Sequence, residues 1–162
     1  MVVVVTQKAE LEPGFAHWFG KLASIAREAG LSIEFYGTNQ TLKELRDQQQ
    51  LLKQEGKMVF REFDQWDDFL IFSREVKKND LLVIVSSRKG HVSYQQPLEK
   101  LPYYLSNYFT QSSFIMLYPK QSERGIKRDD IEFVDSTLAE TISDKVVSVG
   151  RAGGLLRRLF KK

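Results

Sequence analysis

Ser86, Ser87, Arg88, Lys89 and Gly90 follow directly on the apolar run DLLVIV (80–85). Two hydroxyls, two cations and a glycine-permitted turn at a strand end can form an anion-binding nest, in which backbone N–H groups and positive side chains converge on a phosphate. Thr6 and Gln7 stand at the end of a second such run, VVVVT (2–6), and would line the same crevice if the two strands were neighbours. The competing reading is a surface loop whose charges are solvated. With one glycine and no lysine–serine pair, the strict P-loop spacing is absent, which favours that plainer reading.

Other chemistry has less material. His91 shares the loop with Ser86 and Ser87. No G-x-S-x-G elbow and no suitably spaced acid accompany them, so His91 is expected to be an exposed loop histidine rather than a catalytic base. His17, beside Trp18, is expected on a polar or partly packed helix position. Neither histidine has a metal-ligand neighbour three or four residues on, and the chain has no cysteine, so no metal site is expected. Asp67/Asp68 and Asp129/Asp130 are adjacent pairs, which diverge by about 100° on a helix and suit solvated ends better than acid–base work. Leu101, Leu105, Tyr108 and Phe109 fall at helical spacing and read as packing rather than as a base-stacking platform. No catalytic constellation and no cofactor motif emerge. The chain reads as non-enzymatic.

The elements that would carry these residues alternate. VVVVT (2–6) is an unalternating β-branched strand, as in a sheet covered on both faces. Pro13 is expected to open a helix bearing Phe15, Trp18, Phe19, Leu22, Ala23, Ala26 and Ala29, ended by Gly30. SIEFYG (32–37) is a second strand. Thr41 and Glu44 form a capping-box pattern before a polar helix with Leu42, Leu45 and Leu52 as its apolar stripe. KMVFREF (57–63) is a third strand, and Asp64 is expected to cap a helix with Trp66, Phe69, Leu70 and Val76 facing inward. After the fourth strand (80–86), a helix is expected to start near Pro102, followed by a fifth strand, SFIMLYP (113–119). A short sixth strand (131–134) and a helix from about Leu138 to Val147 complete the reading.

Right-handed crossovers force such a chain into a doubly wound α/β fold, a parallel sheet of order 3-2-1-4-5 with helices on both faces. At 162 residues the chain suits one domain, expected over 1–149, with a separate tail over 150–162. That tail carries Arg151, Arg157, Arg158, Lys161 and Lys162 and no acid. Setting those five aside from the 24 basic residues leaves 19 against 21 acids, so the body is near −2 and offers no basic face for nucleic acid. Arg157, Arg158, Lys161 and Lys162 surround Leu155, Leu156, Leu159 and Phe160 on a short amphipathic pattern. It suits contact with an anionic lipid surface, the alternative being a frayed end or a helix docked on the same chain. The longest apolar runs are far shorter than a membrane span, and MVVVV lacks the features of a signal peptide, so the chain is expected to be soluble and not secreted.

The order of elements over 1–119 and the loop after the fourth strand resemble a universal stress protein domain. More narrowly, DLLVIVSSRKGHVSYQQPLEKLPYYLSNYFTQSSFIMLYP (80–119) resembles the cytoplasmic C-terminal domain of Bacteroides-type monovalent cation:proton antiporters. Nucleotide-binding stress proteins carry an acid after the first strand, where this chain has Thr6 and Gln7. They also carry G-x-x-G and a later glycine–hydroxyl pair after the fourth. Here Ser86 or Ser87 stands at the first glycine, Gly90 at the second, and Lys100, Leu101 and Pro102 replace the pair. The resemblance therefore implies the fold, a homodimer through the fifth strand and a regulatory or sensor role beside a transporter membrane domain at the cytoplasmic face. It argues against ordinary ATP binding. The alternative it leaves is a free-standing nucleotide- or anion-binding stress protein using Arg88 and Lys89.

Overall fold

The computed structural model describes residues 1–54 and 56–122. Five strands form one all-parallel sheet: β1 (Val2–Val5), β2 (Ile33–Gly37), β3 (Met58–Glu62), β4 (Leu81–Val85) and β5 (Ser113–Leu117). Their spatial order is β3-β2-β1-β4-β5, the order expected from the sequence. β1 is central, with Val3 opposite both Phe35 and Val83. Strand side chains alternate between faces, so a strand buried on both sides has no polar position. Val3 and Val5 pack with Phe15, Phe19, Leu22, Leu42 and Leu45 on one face. Val2 and Val4 pack with Trp66, Phe69, Phe72, Leu101 and Phe109 on the other.

The helices are α1 (Phe15–Glu28), α2 (Asn39–Leu51), α3 (Phe72–Glu75) and α4 (Leu101–Tyr108). α1 ends as expected: Gly30 takes φ 67°, while Leu31 N–H donates to Ala26 O (2.8 Å) and Gly30 N–H to Arg27 O (3.2 Å). That pair of bonds is the Schellman closure, which needs a left-handed residue at the position Gly30 occupies. Three helix starts differ from expectation. Pro13 precedes the α1 cap, Gly14, rather than opening the helix, because a 3₁₀ turn (Ala9–Leu11) takes up the chain after β1. The cap of α2 is Thr38, whose Oγ1 accepts from Thr41 N–H (3.3 Å), so Thr41 sits one turn inside the helix.

The third expected helix is mostly 3₁₀ (Trp66–Ile71), with a single α turn, α3, and Gln65 rather than Asp64 at its cap. Phe63, Trp66, Phe69 and Phe72 recur every third residue, and their rings close into one cluster in which the Phe63 and Phe72 centroids are themselves 5.0 Å apart. Successive ring centroids are 5.9, 5.6 and 5.6 Å apart. In α4, Leu101, Leu105 and the following Phe109 are buried, whereas Tyr108 is exposed, its ring lying against those of Tyr103 and Tyr104. Among the described residues no helix is long and apolar enough to cross a membrane. The proposed sixth strand, the helix near 138–147 and the tail with Arg157, Arg158, Lys161 and Lys162 lie outside the described residues.

Candidate functional site at the carboxyl ends of the central strands

The turn after β1 and the loop after β4 meet where strand order reverses, the point at which open α/β sheets place ligands. Thr6 N–H donates to Val85 O (3.3 Å), and Ser86 N–H donates to Leu117 O (2.9 Å), so the ladders run one residue past the strands. Thr6, Ser86 and Ser87 are all buried there. Thr6 is 1% exposed, and its Oγ1 has no hydrogen-bond partner. Gln7, Arg88, Lys89 and Gly90 are exposed. Lys8, next to Gln7, takes a left-handed conformation (φ 61°), which costs an L-residue about 1 kcal/mol.

The two cations do not converge on this crevice. Lys89 Nζ turns to Glu99 (3.4 Å) on the surface. Glu99 is held below the usual carboxylate range by the Tyr94 hydroxyl and then by Lys89. The Arg88 guanidinium donates to Pro119 O (3.2 Å) and Gln121 Oε1 (3.1 Å) and lies 5.3 Å from the Tyr118 ring centroid. Its backbone N–H also donates to Gln121 Oε1 (3.1 Å).

What occupies the strand ends is a polar network of the chain's own. Glu12, which closes the 3₁₀ turn ahead of α1, is 5% exposed. Its Oε1 accepts from Ser93 N–H (3.3 Å), Ser93 Oγ–H (2.7 Å) and Gln121 Nε2–H (3.2 Å). Gln121 Nε2 also donates to Ser87 Oγ (2.6 Å), which lies 2.9 Å from Ser93 Oγ. A buried carboxylate is tolerated when donors replace its water, and three donors do so here. Negative charge at this point repels a phosphate, and no positive side chain is bonded to Glu12 among the described residues.

Among the described residues neither Ser86 nor Ser87 is hydrogen-bonded to a histidine. His91 is half-buried rather than fully exposed as expected, and its Nδ1 has no partner. Ser87 Oγ donates to Arg88 O (3.3 Å). Among the described residues there is no cluster of three or more potential metal ligands. Of the residues expected at this crevice, Thr6, Ser86 and Ser87 meet at the strand ends. Glu12, Ser93 and Gln121 are the partners that sequence reasoning missed. They lie up to 109 residues apart, and no local spacing links them.

A second concavity, about 370 Å³, lies on the α3 side of β2 and β3 and is lined in part by Lys57, Lys77 and Asp80. The Tyr36 hydroxyl there lies 3.5 Å from Glu34 Oε2 and 3.4 Å from Glu75 Oε2, and Arg61 Nε donates to Glu34 Oε1 (2.7 Å). Burial, then the Glu34 and Glu75 charges, push the Tyr36 hydroxyl up to about 12. The folded protein thus holds the Tyr36 proton more firmly than an ordinary tyrosine does.

Comparison with known protein families, with characterised proteins and with solved structures found no match to this chain.

Proposed function

We propose that this chain is a non-enzymatic regulatory or sensor domain of a cation:proton antiporter, acting at the cytoplasmic face of the membrane. Its work is contact with a partner rather than turnover of a substrate. The observation that carries the non-enzymatic part is Glu12. A buried carboxylate, satisfied by Ser93 and Gln121, fills the crevice in which this fold class holds its ligands. The transporter assignment rests on the resemblance of residues 80–119, and with it come the parent membrane domain as partner and lipid contact by Arg157, Arg158, Lys161 and Lys162 of the tail.

Dimerisation through β5 is part of the same proposal. β5 is an edge strand with Phe114 43% and Ile115 45% exposed, and no charge interrupts Ser113–Leu117. Such an edge favours addition of another strand. A second reading, a free-standing nucleotide- or anion-binding stress protein, draws on one observation, the unpartnered Thr6 Oγ1 beside the crevice. Immunodetection of the native polypeptide in cell fractions separates the two. A much larger membrane-bound species is expected. A soluble species of about this chain's size overturns the transporter reading.

A further inference from the structure

β5 and β1 flank β4, so a chain that leaves β5 and reaches the start of α1 must cross above the end of β4, two inter-strand spacings of about 4.8 Å each. Residues 118–121 do this. Lys120 O accepts from Gly14 N–H (2.9 Å), and Gln121 reaches Glu12 and Ser87. Arg88 grips the crossing from the β4 side through Pro119 O, Gln121 Oε1 and the Tyr118 ring. The fit at Gly14 is close. A Cβ there would lie 2.7 Å from both Lys120 N and Lys120 O.

We propose that residues 118–121 are a releasable strap that closes the β1/β4 crevice and opens without unfolding the sheet. The contacts named above are polar, apart from the face of the Tyr118 ring; Tyr118 and Lys120 are exposed, whereas Pro119 and Gln121 are buried. Segments held mainly by such bonds open at lower cost than a core strand. Release uncovers the Glu12 carboxylate and the Ser87 and Ser93 hydroxyls together, because Gln121 contacts all three. Anything that favours the open strap therefore favours access to the crevice, and a group seated in the crevice favours the open strap. The inference stands on this geometry whether or not the domain belongs to a transporter.

Hydrogen exchange on the full chain tests it. The amides of Gly14 and Arg88 report the closed strap, since they bond to Lys120 O and Gln121 Oε1. They are expected to exchange at least about tenfold faster than the interior amides of β4. Gly14→Ala displaces Lys120 without straining α1, because Gly14 has φ −85°, which alanine adopts freely. In that variant Arg88 is expected to gain about a further tenfold while β4 is unchanged. Gln121→Ala, acting from the other side, is expected to speed Gly14. The proposal is overturned if these amides exchange with β4 in the native chain. It is also overturned if both variants leave them unchanged or speed every core amide equally.

Discussion

Glu12 holds three segments that are distant in sequence, and its removal exposes what each of them needs. In Glu12→Ala, Ser93 N–H and Gln121 Nε2–H lose a buried acceptor. Unsatisfied buried donors cost about 1–3 kcal/mol, so the unfolding free energy from urea titration should fall by that much, with a lower midpoint and an unchanged slope. Glu12→Gln keeps an oxygen at Oε1 and should lose less than half of that. An alanine variant as stable as the native chain would contradict the network.

Tyr36 makes a separate prediction. Its folded-state pKa of about 12 lies above the ordinary value of 10.0, so the folded protein holds that proton more firmly than the unfolded chain. The associated stability is complete below pH 10 and is lost as pH rises through 10 towards 12. Ultraviolet titration should show Tyr36 ionising near 12, above the ordinary tyrosine range that Tyr94 also exceeds, and the absorbance change near 12 should shrink in Tyr36→Phe. Thr6, Ser86 and Ser87 were legible in the sequence because two apolar runs stop on them. Glu12, Ser93 and Gln121 were not, since a tertiary crossing, not a period, brings them together.

Among the elements, strands were read to within about a residue because runs such as VVVV and LLVIV have no competing pattern. Helix starts were less legible. Thr38 and Thr41 are both competent caps, and which one serves depends on where β2 ends. The Trp66–Phe69–Phe72 spacing fits a 3₁₀ turn as well as the α-helical face expected there, and only packing against the sheet decides. The two sheet edges differ in kind. β3 presents Arg61 and Glu62, charges that discourage strand addition, whereas β5 presents Phe114 and Ile115. Size exclusion with light scattering should find a dimer at high concentration, weakened in Ile115→Lys. A strict monomer would contradict pairing through β5.

For the molecule as a whole, the topology followed from physics that sequence displays. Two fully apolar strands must be central, and right-handed crossovers then fix the order 3-2-1-4-5. The same topology places a ligand crevice between β1 and β4, and the chain fills it with Glu12 and covers it with residues 118–121. Arg88, which as a loop cation looked ready for a phosphate, is spent on that cover. Titration calorimetry of the full chain with ATP, ADP, AMP and cyclic dinucleotides tests this account most directly. It predicts no binding heat and no accompanying thermal shift with any of them, whereas a saturable heat with one of them would contradict the closed, self-filled crevice.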